Sequence, residues 1–192
     1  MKIVAVLLGS LSRKSINASL AKALEKLAAP ALAFDYLDIA SLPHYNNDLW
    51  DNPPEAVTRF KAQVSAADAV LIVMPEINRS FPAVIKNALD WGSRPWGQSS
   101  WLGKPVSLVG MTPGTSGTAP GQGHLRTILP LFDLIVMGQP EVYLNFKPGL
   151  IDDHFEITDD TTRGFLEGYL AKFAAFIDHH GARDLAIAAA AE

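Results

Sequence analysis

The segment LIVMPEINRSFPAVIKNALDWGSRPW, residues 71–96, decides the fold of this chain. It opens with an apolar run, residues 71–74, that is typical of a buried strand and stops at Pro75. Pro82 lies where a helix can begin, because the first turn of a helix leaves its N–H groups without helical partners. The polar residues 76–80 therefore follow the carboxyl end of a strand, which is where open α/β sheets bind their ligands.

The rest of the chain repeats this alternation of strand and helix. Apolar runs predict strands at residues 2–8, 32–37, 71–74, 105–109 and 134–137, with a short strand extension at 142–144. Helical spacing and proline signals predict helices at residues 17–29, 53–64, 82–91, 124–132 and 161–179. Such alternation implies right-handed βαβ units. We expect an α/β fold, a flavodoxin-like three-layer sandwich whose five-stranded parallel sheet has the order 2-1-3-4-5 with helices on both faces.

The length of 192 residues favours one domain, since domains usually contain about 100–200 residues. We assign residues 1–180 to a single flavodoxin-like domain and residues 181–192 to an alanine-rich tail. No apolar run approaches the ~20 residues of a membrane span, and the short apolar start of the chain is expected to be the first strand rather than a signal peptide. We therefore expect no membrane partner.

Charge and cysteine content exclude several classes of function. The net charge of −4 argues against nucleic acid as a partner, because domains that bind nucleic acid usually carry a basic face. The chain has no cysteine, which excludes disulfides, thiolate catalysis and cysteine-ligated metal centres. The histidines show no metal-ligand spacing, so we expect no metal site. This composition is consistent with a cytoplasmic location.

The first candidate for ligand binding is the loop after the first strand, residues 9–17 (loop one). It combines hydroxyl groups with two cations at the start of a helix, whose free N–H groups and positive dipole end favour a phosphate. The phosphate-binding patterns G-x-G-x-x-G and G-x-x-x-x-G-K-[ST] are absent. Loop one therefore suits a terminal phosphate monoester. Alternatively, Ser15 or Asn17 closes the helix as its N-cap, and capping does not exclude phosphate binding.

Motifs within the quoted segment point to a family. Residues 75–78 are Pro-Glu-Ile-Asn, residues 80–82 are Ser-Phe-Pro and residues 85–91 are Ile-Lys-Asn-Ala-Leu-Asp-Trp. They resemble the NADPH-dependent FMN reductase family, flavodoxin-like enzymes with Pro-Glu-Tyr-Asn, Ser-x-Pro and Leu-Lys-Asn-Ala-x-Asp-Trp at these places. The departure is Ile77 in place of the tyrosine. Loop one is similar to the family's Gly-Ser-Leu-Arg-x-x-Ser-x-Asn, except that Ser12 takes the arginine position and Arg13 follows it.

The resemblance implies a bound FMN held by three loops. It places the flavin ring beside residues 75–80 (loop two) and beside the small residues 112–118 after the fourth strand (loop three). The residues that it assigns to the cofactor are Ser10, Arg13, Ser15, Ile16, Asn17, Pro75, Glu76, Ile77, Asn78, Arg79, Ser80, Gly114, Thr115 and Ser116. Two local alternatives stay open: Asn78 and Ser80 cap the third helix, or loop three is a mobile surface loop.

The function that the resemblance implies is an FMN-dependent NAD(P)H oxidoreductase. Hydride would pass from the nicotinamide of NADPH or NADH to flavin N5 and then to a quinone, chromate, ferric or azo acceptor by a ping-pong scheme. The cofactor performs the chemistry, and the protein supplies binding, orientation and charge. One alternative is a flavodoxin-type electron carrier without its own nicotinamide turnover, although such carriers are usually strongly acidic. Another is a flavin-free nicotinamide dehydrogenase, which the missing G-x-G-x-x-G disfavours.

Arg94 is the candidate catalytic residue. The resemblance places the segment 93–95 near the open face of the flavin, where a fixed guanidinium would stabilise negative charge or hold the nicotinamide. The alternative is an ion pair with Asp90 at the end of the third helix. Family likeness, together with tryptophans at positions 91, 96 and 101, predicts a homodimer or homotetramer with this region near the contact. Simple core packing of these tryptophans is the other interpretation.

Overall fold

The computed structural model describes residues 1–190 of the chain, with side chains through residue 181. The strands are Lys2–Leu8 (β1), Leu32–Tyr36 (β2), Ala69–Val73 (β3), Pro105–Thr112 (β4), Ile135–Val136 (β5) and Val142–Asn145 (β6). The helices are Ile16–Ala28 (α1), Glu55–Ala66 (α2), Ala83–Gly92 (α3), Ala119–Ile128 (α4) and Asp160–Ala190 (α5). Two short 3₁₀ helices cover Asn47–Asp51 and Leu129–Phe132.

The strands form one parallel sheet of order β2-β1-β3-β4-β5, which confirms the predicted flavodoxin-like order. β4 has two partners along its outer edge. Its first residues pair with β5, and residues 109–112 pair with β6. The predicted strand extension is therefore confirmed, while the fifth strand proper is shorter than expected. Pro140 lies between β5 and β6, and a proline has no N–H to donate to the hydrogen-bond ladder of the sheet.

Side chains of the buried strands point alternately to two apolar layers. Val4 and Val6 of β1 pack towards α1 and α5, whereas Ala5 and Leu7 pack towards α2, α3 and α4. The residues of β3 are all fully buried, as its continuous apolar sequence predicts. The sheet is thus covered on both faces, and the three-layer arrangement is confirmed.

Several element boundaries differ from the prediction. β4 continues to Thr112 because β6 pairs with its second half, and α2 begins at Glu55 rather than at Pro53. The fourth helix was predicted at residues 124–132 but begins at Ala119. Pro120 occupies its first turn, where a proline is favoured, and the glycines beside it hid this signal. A 3₁₀ turn replaces the last residues of the predicted helix.

α5 contains the whole of the predicted last helix and continues to Ala190. The side chains of residues 182–192 lie outside the described residues, so the division into a domain and an alanine-rich tail stays a prediction. Over the residues that the structure describes, no helix combines the length and apolar character that a bilayer crossing requires.

Candidate cofactor and active site

Three loops meet at the carboxyl edge of the sheet. Loop one follows β1, loop two follows β3 and loop three follows β4, and these strands are direct neighbours. The N–H of Gly9 in loop one donates to the carbonyl of Val73 at the end of β3 (2.8 Å). A Cβ at Gly9 would lie 3.2 Å from atoms of Met74 and Pro82, so a side chain there would push loop one and the start of α3 slightly apart. The fold thus brings the three predicted cofactor loops together.

Loop one places hydroxyls and cations around the N-terminus of α1. Ser15 is the N-cap, and its hydroxyl oxygen accepts the N–H of Ala18 (3.1 Å), which confirms the capping interpretation. Arg13 and Lys14 are exposed beside it, and the segment lines a depression of about 430 Å³. Serine hydroxyls, two cations and free helical N–H groups form a donor set that fits a phosphate monoester. Ser10 is half-buried at the start of the same loop.

The side chain of Asn17 makes a contact inside the protein that the sequence did not predict. Its side chain is buried, and its amide exchanges two hydrogen bonds of 2.9 Å with the backbone of Met111 in β4. The Asn17 side chain therefore fastens α1 to the sheet, and it does not cap the helix. Its backbone N–H belongs to the first turn of α1, where no intrahelical partner exists.

Loop two is a tight hairpin. Ile77 and Ser80 exchange two backbone hydrogen bonds of 2.9 Å, and the two residues between them, Asn78 and Arg79, have φ angles of 50° and 66°. Such a pair of left-handed residues costs roughly 1–2 kcal/mol per non-glycine residue. Ile77 is 50% exposed on this hairpin, so an apolar side chain stands at the rim, where the family resemblance places the flavin ring.

The hairpin is fastened to α4 by contacts that the sequence did not predict. The carboxylate of Glu76 accepts the N–H of Gly121 in the first turn of α4 (3.0 Å), where an anion is favoured by the helix dipole. A Cβ at Gly121 would lie 3.0 Å from the carbonyl oxygen of Ser80, so this close approach requires glycine. The Ser80 hydroxyl lies 2.9 Å from Nδ1 of His124. The only sequence signal was the glycine-rich start of α4.

The alternative that Asn78 and Ser80 cap the third helix is wrong. The N-cap of α3 is Pro82, which has no side-chain hydrogen bond to the helix. Ser80 points to α4 instead. The residues of loop two are thus organised around a hairpin at the rim and not around the start of α3.

Polar side chains of α3 support a neighbouring loop. The Asn87 side chain accepts the N–H of Tyr45 (2.8 Å) and donates to the carbonyl of Pro43 (2.9 Å). The indole N–H of Trp91 donates to the same Pro43 carbonyl (2.8 Å). These contacts fix the segment after β2, so the Lys-Asn-Ala-x-Asp-Trp pattern has a structural reason. In that pattern Lys86 pairs with Asp90 at 2.7 Å.

Loop three closes the rim on the β4 side. Gly117 has a φ angle of 62°, and a Cβ there would lie 2.9 Å from the Cβ of Tyr143. Burial, followed by the nearby carboxylate of Glu141, raises the pKa of Tyr143 to about 12, so its phenol is neutral at physiological pH. Gly114, Thr115 and Ser116 are exposed. Loop three thus combines a packed end with an accessible polar tip.

Arg94 does not lie with the three loops. It follows the C-terminus of α3, whereas loop two precedes the N-terminus of that helix, about 16 Å away along the helix axis. Arg94 lines a pocket of about 510 Å³ together with Trp96, Leu131 and Asp133. The alternative ion pair with Asp90 is wrong, because Asp90 pairs with Lys86. The Arg94 guanidinium instead lies 5.4 Å from the ring centroid of Trp96.

Of the three tryptophans at positions 91, 96 and 101, two fit simple core packing and one fits a surface contact. Trp91 and Trp101 are fully buried, and the indole N–H of Trp101 donates to the carbonyl of Leu89 (3.0 Å). Trp96 is 86% exposed. Two are therefore core residues, and one stands on the surface. No cluster of three metal-binding side chains occurs among the described residues.

Comparison with known proteins gives a consistent picture. The sequence pattern of a family described as NADPH-dependent FMN reductase matches residues 1–149. A 2-hydroxy-1,4-benzoquinone reductase of a Burkholderia species is 46% identical over 174 residues, which cover 91% of this chain and 95% of the relative. A quinone reductase of Pseudomonas putida is 43% identical, and the matched residues cover 91% of this chain and 94% of that relative.

A solved structure agrees with these relatives. The flavoenzyme NAD(P)H:(acceptor) oxidoreductase of Paracoccus denitrificans superimposes with a TM-score of 0.92 at 43% identity. The match covers 94% of this chain and 99% of that protein. The two proteins therefore share one fold over nearly the whole of both chains.

Proposed function

This chain belongs to the NADPH-dependent FMN reductase family, and from that premise we propose that it reduces a small quinone with electrons from NADPH or NADH. The single observation that supports this most is the convergence of the three loops at one edge of the sheet. Loop one has the donors that suit the terminal phosphate of FMN. Loop two has the exposed apolar side chain of Ile77 at the same edge of the sheet. Relatives named for quinones favour a quinone as the acceptor.

The residues of the rim bind and orient the cofactor. The hydroxyls of Ser10 and Ser15, the guanidinium of Arg13 and the N–H groups of residues 16 and 17 would hold the phosphate. The backbone of loop two and the side chain of Ile77 would border the ring, with Gly114 to Ser116 on the other side. FMN, when bound, supplies the chemistry by accepting a hydride from the nicotinamide and passing it on.

The overall reaction is balanced without an acid–base side chain. NAD(P)H gives up a hydride, solvent provides one proton, and the quinone takes up both to become a hydroquinone. We propose that donor and acceptor use the same open face in turn, which gives ping-pong kinetics. Chromate, ferric chelates and azo compounds are further candidate acceptors for the same site.

The position of Arg94 supports a homodimer or homotetramer. In one chain it lies at the far end of α3 from the flavin loops. Around it stand three large exposed apolar side chains, Trp96 at 86%, Leu102 at 65% and Leu131 at 83% exposure. Such a patch is typical of a protein–protein contact. We propose that a second copy covers it and that Arg94 acts on the open face of the neighbouring subunit's flavin.

Steady-state kinetics test the proposed reaction. The FMN-loaded protein is mixed with NADPH, then with NADH, at several fixed concentrations of 1,4-benzoquinone, and nicotinamide oxidation is followed by absorbance. We expect sustained turnover and parallel double-reciprocal lines, as a ping-pong scheme requires. Absence of turnover with any free quinone would refute the proposal and favour an electron carrier. Intersecting lines would refute the ping-pong order alone.

A further inference from the structure

Arg79 at the tip of the loop-two hairpin has no assigned task in the reaction beyond the predicted contact with the cofactor. Its side chain is 75% exposed and reaches from loop two towards loop three. One guanidinium nitrogen, Nη1, lies 3.7 Å from the carboxylate of Glu76 and 3.5 Å from the hydroxyl of Ser116. Arg79 thus places a cation on the open rim between the two loops.

The backbone conformation of Arg79 indicates that its side chain has a role other than forming the turn. Two-residue hairpins with two left-handed residues favour the sequence Asn-Gly. This hairpin has Asn78 followed by Arg79, whose φ angle of 66° is costly for any residue with a Cβ. A glycine would form the same turn without that cost. The arginine therefore supplies something that the turn itself does not need.

Pairing with Glu76 does not explain why an arginine occupies position 79. The Glu76 carboxylate already accepts the N–H of Gly121 at the positive end of α4. An ion pair with a largely exposed arginine contributes little to stability. Within the part of the chain that the structure describes, the other guanidinium nitrogens of Arg79 make no hydrogen bond. They are available to an anion at the rim.

We propose that Arg79 makes the enzyme selective for quinones that carry an ionised hydroxyl group; this inference rests on the proposed function. A hydroxyl group on a quinone ring is conjugated to a carbonyl through a double bond, so it is a vinylogous acid and ionises readily. Its oxygen and the neighbouring carbonyl oxygen stand side by side, much as in a carboxylate. A guanidinium fork suits such a pair of oxygens, and an unsubstituted quinone offers only neutral carbonyls.

The acceptor, and not the nicotinamide donor, is the anion that this geometry favours. The cation stands between loops two and three, where the ring of the acceptor would have to approach the cofactor. The phosphate of FMN does not need Arg79 either, because loop one already has Arg13 and Lys14. NADPH is also an anion, so the test must separate the two ligands.

The test compares two quinones on matched variants. Arg79→Gln and the control Arg59→Gln each remove one exposed positive charge, and Arg59 lies on α2 beside Asp38 and Glu55. kcat/KM is measured at saturating NADPH for 2-hydroxy-1,4-benzoquinone and for 1,4-benzoquinone. The ratio of the two values cancels any loss of flavin. We expect Arg79→Gln to lower this ratio at least tenfold and Arg59→Gln to leave it within twofold.

A binding measurement without turnover provides the second readout. The hydroxyquinone is titrated into the oxidised protein in the absence of NAD(P)H, and heat release gives Kd. We expect Arg79→Gln to raise Kd at least about fivefold, and wild-type Kd to rise with added salt. Lowering the pH until the hydroxyquinone is neutral should remove the preference of the wild-type protein.

The outcomes are distinct. An unchanged ratio and unchanged Kd in Arg79→Gln would overturn the proposal. A higher KM for NADPH with an unchanged quinone ratio would overturn it in favour of donor recognition. Failure of both quinones to turn over in the wild-type protein would instead refute the proposed function itself.

Discussion

Asn17 has a side chain that could hydrogen-bond a ligand, but in the structure this side chain binds the backbone of the protein interior. Its two hydrogen bonds to Met111 join α1 to β4 inside the protein. Asn17→Ala leaves the N–H and the carbonyl of Met111 without these partners, and each unpaired buried group costs roughly 1–3 kcal/mol. We predict a clear fall in the melting temperature of the FMN-free protein, measured by circular dichroism.

Ser15→Ala, unlike Asn17→Ala, should weaken the binding of the cofactor. The substitution removes an N-cap, worth about 1 kcal/mol of stability, and one hydroxyl from the phosphate-suited loop. We predict weaker FMN binding in a fluorescence titration, by roughly 1.5–3 kcal/mol if the lost hydrogen bond is charge-assisted. An FMN affinity equal to that of the wild type would show that Ser15 only caps the helix.

The hairpin residue Arg79 gives a test of backbone strain that is independent of ligands. Arg79→Gly removes the left-handed penalty, whereas Arg79→Val places a β-branched side chain in the same conformation. We predict that the glycine variant retains stability or gains up to about 1–2 kcal/mol, and that the valine variant is less stable than the wild type, measured by urea unfolding. Equal losses in both variants would mean that the side chain, and not the backbone, sets the stability here.

At the scale of elements, the sequence predicted what depends on periodic apolar residues and missed what depends on long-range contacts. The run at residues 69–73 is apolar throughout, so its burial on both faces follows from the sequence. The second half of β4 and the start of α4 depend on partners far along the chain, namely β6 and Glu76. No local pattern reports such partners, and the glycines near Gly121 look like a loop until the close approach is seen.

The same distinction applies to the site. Parallel topology alone placed loops one, two and three at one edge, because the ends of neighbouring parallel strands share a side of the sheet. The side-chain tasks within the loops did not follow from residue type. Asn17 turned inwards, and Arg94 came to lie at the opposite end of α3 from loop two. The distance between the two ends of α3 follows from its length, whereas the exposed apolar surroundings of Arg94 did not follow from the sequence.

α5 is joined to the sheet by one buried polar contact that can be measured. The hydroxyl groups of Tyr169 and Ser107 lie 2.7 Å apart, and both side chains are buried. Tyr169→Phe leaves the Ser107 hydroxyl unpaired, so we predict a loss of about 1–3 kcal/mol in chemical unfolding. The double variant with Ser107→Ala should lose less than the sum of the single variants, whereas strict additivity would show that the contact is not energetically coupled.

Tyr169 also predicts a dependence on alkaline pH. Burial raises its pKa well above the ordinary value of about 10, so the folded protein keeps the phenolic proton that the unfolded chain releases. Stability from this group is complete below pH ~10 and falls as the pH rises above it. We predict a shallower alkaline loss of stability in Tyr169→Phe, measured as urea unfolding between pH 8 and pH 11. Parallel curves for the two proteins would contradict this.

At the scale of the whole molecule, the patch of Trp96, Leu102 and Leu131 tests the assembly. Leu131→Lys places a charge on a side chain that is 83% exposed, so a folded monomer should tolerate it. We predict that it dissociates the oligomer in light scattering and lowers turnover with it. Phe165→Lys, at an exposed apolar position on α5, is the matched control and should keep the assembly. A wild-type monomer at micromolar concentration would refute this interface.

Arg94→Ala addresses the same assembly from the side of catalysis. Arg94 makes no ion pair with Asp90, and its stacking on Trp96 is worth only about 0.5–1 kcal/mol, so the fold should survive. We predict normal FMN content and a fall in kcat/KM of at least tenfold, or ~1.4 kcal/mol. Mixed oligomers of Arg94→Ala with a loop-one variant that does not hold FMN should regain activity, because the partner then supplies an arginine to the FMN-bearing subunit. Near-normal kinetics of the single variant would remove Arg94 from the site.

The central claim is that this fold holds FMN and passes electrons from NAD(P)H to a quinone. The most direct measurement is the visible spectrum of the purified, FMN-reconstituted protein without oxygen, before and after one equivalent of NADPH and again after one equivalent of quinone. We expect an oxidised flavin spectrum that bleaches with NADPH and returns with quinone, and release of FMN rather than FAD on denaturation. A protein that binds no flavin, or a bound flavin that NADPH and NADH leave oxidised, would contradict it.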